Sequence, residues 1–235
     1  MKLFRTILKY IFPEICISCG TEGNIICSKC TKLIIYKKSQ ECPYCRQKNN
    51  DGHCCKHNCV KKFFFDQLLV ATSYNRNLII QKLIKEYKYR NKKGLSIFFS
   101  NLILKKFEND FLKKFIIGDV FITSVPISKE KLKARAYNQA ELIAKNLSNT
   151  INIKYINTLK WTNYKGQQAG LKKADRVKSR AFTMGIISSN VSFVRHKNII
   201  LIDDIASTCS TINECSRVLK LYGALSVCVV VISRN

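Results

Sequence analysis

The stretch Ile199-Ile200-Leu201-Ile202-Asp203-Asp204-Ile205-Ala206-Ser207-Thr208-Cys209-Ser210-Thr211 decides how the rest of the chain is read. Four apolar, mostly β-branched residues run directly into two adjacent carboxylates. Small hydroxyl residues follow, and a helical pattern begins near Thr211. This order reads as a buried strand that ends in a polar loop and feeds a helix. Ligands of open α/β sheets sit at strand ends of this kind. Two neighbouring carboxylates can accept hydrogen bonds from the vicinal hydroxyls of a ribose, so Asp203 and Asp204 are the candidate ribose-binding residues. Ala206, Ser207, Thr208, Cys209, Ser210 and Thr211 form the candidate phosphate loop, rich in hydroxyls and backbone N–H groups, toward which the helix directs the positive end of its dipole. The same residues also suit a solvated turn with ordinary N-caps. The order of strand, acid pair, hydroxyl loop and helix favours the ligand site.

Outward from this stretch, strands alternate with helices. Strands are expected at 68–74, 119–126 (running into a loop), 153–159, 199–202 and 225–232. Helices are expected at 77–87, about 94–107, 137–149 and 211–222, the last with Gly223 as its C-cap. Residues 160–180 are basic and poorly periodic. The alternation predicts an α/β domain with a mostly parallel sheet.

The other end of the chain is a different kind of sequence. Of 12 cysteines, nine fall within residues 16–59. They form the knuckles Cys16-x2-Cys19, Cys27-x2-Cys30 and Cys42-Pro43-Tyr44-Cys45, followed by Cys54, Cys55 and Cys59. Each knuckle presents two thiolates to one metal, and two knuckles complete a tetrahedral zinc site. Chain order pairs Cys16, Cys19, Cys27 and Cys30 in one site, and Cys42, Cys45, Cys55 and Cys59 in another. Cys54, His53 or His57 are alternative ligands for the second, and a single site beside a partly degenerate one is the other arrangement. A disulfide framework would need an oxidising compartment. Met1 to Phe12 has scattered basic residues and no small-residue cleavage site, so a signal peptide is not expected, and a cytoplasmic setting with structural zinc is. Redox use of the knuckles lacks a thioredoxin-like context. Cys215 and Cys228 read as small core residues.

The 235 residues suffice for a zinc module and one α/β domain, with the boundary near 60–66. No apolar run has the length of a bilayer span, Phe63-Phe64-Phe65 and Phe115-Ile116-Ile117 being too short. Residues 2–12 have an amphipathic pattern, suited to packing on the protein or to weak attachment at the inner face of a membrane. The formal charge of +26 predicts non-specific, salt-sensitive binding of polyanions such as single-stranded DNA. The excess is spread along the chain, and 41 Lys and Arg residues dominated by Lys point to compositional bias as well. Tyr87 to Arg90 and Trp161 to Lys165 put aromatic rings beside basic residues, as base-stacking surfaces do and as ordinary core or rim residues also do.

The acid-pair segment resembles the ribose-phosphate signature of type I phosphoribosyltransferases, hydrophobic-Asp-Asp-x-x-Thr-Thr-Gly-x-Thr, with Cys209 at the glycine. A zinc module ahead of such a domain is similar to the ComF family of bacterial proteins, associated with DNA uptake in natural competence. Three further segments carry the resemblance. Val125-Pro126 followed by Lys133-Ala134-Arg135-Ala136-Tyr137-Asn138-Gln139 is similar to the family's Val-Pro…Arg-x-Arg-Gly-Phe-Asn-Gln run, with Lys133 at the first arginine and Ala136 at the glycine. Gln168, Leu171, Arg176, Ala181 and Phe182 match its Gln-x2-Leu-x4-Arg-x4-Ala-Phe pattern. Leu83 to Arg90 resembles its Leu-Lys-Tyr/Phe motif, with Lys88 in the lysine position.

The resemblance implies a zinc-ribbon module over 1–62 and a phosphoribosyltransferase-like domain over 63–235. It implies a site for phosphoribosyl pyrophosphate or a nucleotide, with magnesium accompanying the diphosphate. It also implies a partner such as a competence helicase or another DNA-uptake protein. Lys88 and Arg135 are expected to neutralise the diphosphate, although residues 133–135 also read as a solvated loop. Arg176 and Arg180 would meet nucleic acid, phosphate or solvent, and Asn138 and Gln139 would cap a helix start. An active phosphoribosyltransferase, in which Asp203 and Asp204 would also stabilise the ribosyl transition state, and a non-catalytic homologue are the two other readings of the same motifs.

Overall fold

The computed structural model describes residues 13–107, 118–162 and 184–235. The expectations for residues 2–12, for Phe115 to Ile117, for Tyr164 and Lys165, and for Gln168, Leu171, Arg176, Arg180, Ala181 and Phe182 lie outside the described residues.

The stretch quoted above forms the strand β7 (Asn198–Ala206), and a run of valines and isoleucines forms β8 (Ser226–Arg234). With β3 (Gln67–Ser73) and β4 (Val120–Ser124) they make a four-stranded sheet in the order β3-β8-β7-β4, every pair parallel. Parallel strands need crossover connections, and these place helices on both faces. Alternation along β7 and β8 divides the core accordingly. Ile200, Ile202, Val230 and Ile232 pack with α3 (Leu78–Tyr89), α4 (Leu95–Phe107) and α6 (Gln139–Ile151). Ile199, Leu201, Val229 and Val231 pack with α7 (Ser210–Leu221). Cys215 and Cys228 are fully buried, as the sequence suggests. Asn77 caps α3 by accepting from the Ile80 amide, and Asn138 caps α6 by accepting from that of Ala140.

The cysteine-rich module contains α1 (Ser28–Lys32), a small antiparallel pair of β1 (Gln40–Glu41) and β2 (Lys48–Asn49), and α2 (His57–Val60). It is built into the sheet's outer edge. Cys16, Ile26, Cys30 and Ile34 belong to the same buried cluster as α3 and α4. The free edge of β3 would otherwise expose unpaired backbone groups. Gln40, buried, accepts from the Val70 amide at 2.9 Å and donates to the Val70 carbonyl at 3.2 Å. The Lys37 amide donates to Ala71 O at 2.9 Å, and the Leu68 amide to Gly52 O at 3.0 Å. Gly52 has φ +75, and a Cβ there would lie 2.2 Å from the Leu68 carbonyl oxygen.

Three expectations need correction. No strand covers 153–159. Tyr155 makes a single bridge to Ile122, and the strand β5 (Leu159–Trp161) pairs antiparallel with β6 (Met184–Ile186), apart from the main sheet. Thr158 is occupied instead by side-chain contact with Thr123. Residues 133–135 are not a loop but the last turn of α5 (Lys129–Arg135), which the sequence reading missed because its helix has no buried residue and hence no apolar stripe. The strand carrying the acids does not stop at Ile202, since the ladder to β8 continues through Asp203 to Ala206.

The edge packing yields a test. Gly52→Ala should lower unfolding stability by about 2 kcal/mol or more in denaturant titration, because it adds both left-handed strain and a clash with backbone. A loss below about 0.5 kcal/mol would show that the module does not seal this edge.

Candidate functional site

Asp203 and Asp204 are consecutive on a strand, so their side chains leave on opposite faces. Asp203 follows Ile199 and Leu201 toward α7, and Asp204 follows Ile200 and Ile202 toward α3 and α6. Both line one cleft of about 180 Å³ at the carboxyl end of the sheet, together with Lys88, Lys131, Arg135, Gln139, Trp161 and Thr211. A smaller hollow of about 40 Å³ adjoins it, lined by Asp203 and residues 205–212, and so by the whole expected phosphate loop.

Each carboxylate turns one oxygen back onto the strand. The Asp204 amide donates to Asp203 Oδ1 at 2.8 Å, and the Ile205 amide to Asp204 Oδ1 at 2.7 Å. The other oxygen of Asp204 meets Lys88 Nζ at 3.0 Å, with both side chains largely shielded from solvent. Asp203 is only half-buried by its surface, but the protein around it and then the Asp204 charge push its carboxyl up to about 7.

Lys88 and Arg135 are held on the cleft wall by two buried tyrosines. Tyr87 Oη donates to Gln139 O at 2.9 Å, and Tyr137 Oη donates to Tyr87 O, so the end of α3 is stitched to the start of α6. The Arg135 guanidinium donates to Gln139 Oε1 at 3.3 Å and lies over the exposed Tyr89 ring at 5.6 Å. Gln139 Nε2 is buried without a hydrogen-bond partner among the described residues. An orphaned donor in a cleft lined by cations fits an anionic ligand. The sequence reading gave Gln139 only a capping role and overlooked Lys131. The i, i+4 spacing of Lys131 and Arg135 on one helix face was the available signal.

The loop residues keep the geometry of a glycine-bearing loop without the glycine. Cys209 has φ 63 and Ala136 has φ 62, both left-handed, at the two positions where the resembled motifs carry glycine. A Cβ and thiol at residue 209 stand where glycine lets a phosphate approach the backbone closely. The side chain is instead buried, 3% exposed, in the cluster under α7. Thr208 Oγ1 and Ser210 Oγ share a hydrogen bond of 2.8 Å. Cys209 gives α7 no side-chain N-cap; the Ser210 amide reaches Thr208 Oγ1 at 3.4 Å, and the rest of the first turn is left to an external acceptor.

Among the described residues, two sets can hold a metal: Cys16, Cys19, Cys27 and Cys30, and Cys42, Cys45, Cys55 and Cys59. Within each set the sulfurs lie within 4.8 Å of one another. The edge of a zinc tetrathiolate is ~3.8 Å from bond lengths of ~2.3 Å, so both sets fit that ion after slight contraction. Cys54, His53 and His57 stay outside the second set, and His53 Nδ1 faces Asp66 O at 2.8 Å. Without metal the sulfurs compete for protons. The Thr21 hydroxyl and then its amide, with neighbouring thiols, bring Cys19 down to about 6, while hydrogen bonding to Cys45, then burial, pushes Cys55 up to about 12. Asp203 and Asp204 belong to neither set. No helix among the described residues is long and apolar enough to cross a membrane.

The raised Asp203 carboxyl gives a pH signature. The folded state holds this proton up to about 7, whereas an unfolded aspartate releases it near ~3.9. Stability contributed by the protonated form is complete at low pH and is lost as the pH rises through this window. Asp203→Asn should therefore gain on the parent, by ~2 kcal/mol near pH ~8, and the gain should shrink toward pH ~5. Thermal unfolding of both proteins across this range checks it, and a difference independent of pH would refute it.

No protein-family model matches the chain. Competence protein F of Haemophilus influenzae is 27% identical over 227 residues, spanning 88% of this chain and 91% of that protein. Competence protein ComFC of Bacillus subtilis is 25% identical over 202 residues, spanning 84% of this chain and 79% of that protein. Among solved structures, an allosteric regulatory enzyme of purine biosynthesis aligns at a TM-score of 0.41 and 18% identity, over 63% of this chain and 29% of that one. A Trypanosoma cruzi hypoxanthine phosphoribosyltransferase aligns at 0.38 and 12%, over 61% and 75%. Alignments at this level support no residue-by-residue correspondence, and the chain spans under a third of the first of these enzymes. Over most of its length the chain is thus similar to competence proteins of the ComF family, as the order of its motifs implies.

Proposed function

We propose that the cleft at the end of β7 binds 5-phosphoribosyl pyrophosphate or a like nucleotide, and that the protein serves DNA uptake as an accessory rather than chiefly as a catalyst. The observation that carries this reading is the juxtaposition of Asp203 and Asp204 with the start of α7 on one side and Lys88, Lys131, Arg135 and Gln139 Nε2 on the other. The ribose hydroxyls would fall to the carboxylates, and the 5-phosphate to the amides and hydroxyls of 207–211. The diphosphate, with its magnesium, would draw Lys88 away from Asp204 and engage Arg135 and Gln139. The names of the two relatives support a role in competence. The two cysteine sets would hold structural zinc and present the module to a helicase or another uptake protein. A charge of +26 favours non-specific contact with single-stranded DNA, and residues 2–12 would add weak contact at the inner face of the membrane.

A second reading is an active phosphoribosyltransferase. Trp161 favours it, because an indole on the cleft wall offers a stacking face to an aromatic acceptor base. Release of pyrophosphate on adding a nucleobase would select this reading.

Calorimetric titration of phosphoribosyl pyrophosphate with magnesium into the zinc-loaded protein tests the first. Asp203→Asn with Asp204→Asn should weaken binding by about a hundredfold, and Lys88→Met by about tenfold. Equal affinity in the double variant would remove the ribose-phosphate site from the 203–211 segment. Cys209→Gly should leave affinity within about threefold, since the thiol is already packed inward.

A further inference from the structure

Arg234 is the last residue of β8 and is 7% exposed. A guanidinium does not give up its charge, and a buried charge needs a compensating partner. Among the described residues Arg234 makes no ion pair with an Asp or Glu, and its Nε has no hydrogen-bond partner. Burial keeps the neighbouring Cys209 thiol protonated, Arg46 adds a like charge, and of the acidic groups near Arg234, Glu41 and Cys42, Glu41 is already paired with Lys37 at 2.9 Å. The Arg234 side chain donates instead to the carbonyl of Pro43, inside the knuckle Cys42-Pro43-Tyr44-Cys45. Arg46, which closes that knuckle with a left-handed φ of 63, donates to Asn235 O at 3.1 Å. The amide of Asn235 in turn donates to Ala206 O at 3.1 Å, one residue before the hydroxyl loop. Arg234 itself is the ladder partner of Ala206.

Four thiolates around a divalent cation leave a net dianion. Set beside Arg234 and Arg46, that dianion is the counter-charge that the buried guanidinium otherwise lacks.

We propose that the metal centre of Cys42, Cys45, Cys55 and Cys59 locks the 207–211 loop in place, acting through Arg234, Arg46 and the end of β8, whereas the centre of Cys16, Cys19, Cys27 and Cys30 has no such connection among the described residues. Arg234 is on this account a positioning residue. Loss of the second metal frees the knuckle, leaves Arg234 without its counter-ion and loosens Ala206 and the loop behind it. The first centre instead packs against α3 and α4 and stabilises that side of the core. The consequence for ligand affinity rests on the reading of 207–211 as a phosphate loop; the mechanical coupling does not.

The two centres allow a matched comparison, because Cys19 and Cys45 are both exposed and their replacement opens no core cavity. Cys45→Ser, Cys19→Ser and Arg234→Met are compared with the parent, without ligand, by metal content and by amide hydrogen exchange. Cys45→Ser and Arg234→Met should speed exchange across 207–211 by about tenfold or more while 199–202 stays protected, and Cys19→Ser should not. Arg234→Met should also surrender the second metal to a chelator about tenfold faster than the parent. Unchanged loop exchange in a folded Cys45→Ser protein that has lost one metal overturns the proposal. If Arg234→Met fails to fold, Arg46→Met, at an exposed position, must shift loop exchange in the same direction, and its failure to do so also overturns it. Loop exchange that responds in a parent protein unable to bind phosphoribosyl pyrophosphate would sustain the coupling and discard the phosphate reading.

Discussion

The parallel ladder between β7 and β8 is the constraint from which the rest of the molecule follows. Its register runs from Asn198 opposite Ser226 to Ala206 opposite Arg234. A slip of one residue would turn Ile199 and Leu201 to the face built for Ile200 and Ile202, and the two carboxylates with them. Both faces are packed, so the hydrophobic set on each side fixes the register. That register sends Asp204 to Lys88 and Asp203 to the hydroxyl loop, and it sets Arg234 beside the residue from which the loop departs.

Around this strand end the charges are arranged to wait for a ligand. Burial and then the repulsion of its neighbour raise the Asp203 carboxyl to about 7, and Lys88 is placed against Asp204. Neither arrangement is rigid. A proton can leave and a lysine can swing, whereas Tyr87 and Tyr137 pin the helices that carry the cations. The cleft thus combines a fixed frame with exchangeable charge, which suits an anionic ligand.

The cysteine module is part of the same frame. Gln40, Lys37 and Gly52 complete the edge of β3, and Cys16 and Cys30 enter the core shared with α3 and α4. Its chemistry was legible from spacing: knuckles of paired cysteines have few other uses, and the geometry gathers two sets of four. Its place was not legible, because nothing in residues 40–52 announces that a glutamine side chain will imitate a neighbouring strand.

The α/β alternation, the acid pair near the end of a strand, the hydroxyl loop before a helix and the grouping of the thiols can all be read from residue order. Each is a local pattern whose period or spacing has one economical structural meaning. Tertiary structure decided the rest. The helix of Lys129–Arg135 carries no apolar stripe and gives no periodic signal, yet it supplies Lys131 and Arg135 to the cleft. Residues 153–159 have strand-like composition, but their backbone pairing with β4 is confined to Ile122, through Lys154 O, the Ile156 amide and the bridge at Tyr155. The left-handed torsions of Cys209 and Ala136 persist without glycine at a strain of about 1–2 kcal/mol each, Cys209 held by the core packing of its side chain and Ala136 by its place as a helix C-cap, its amide donating to Leu132 O. The contact between the Cys42 knuckle and Arg234 joins residues 191 positions apart, and only the closing of the sheet brings them together.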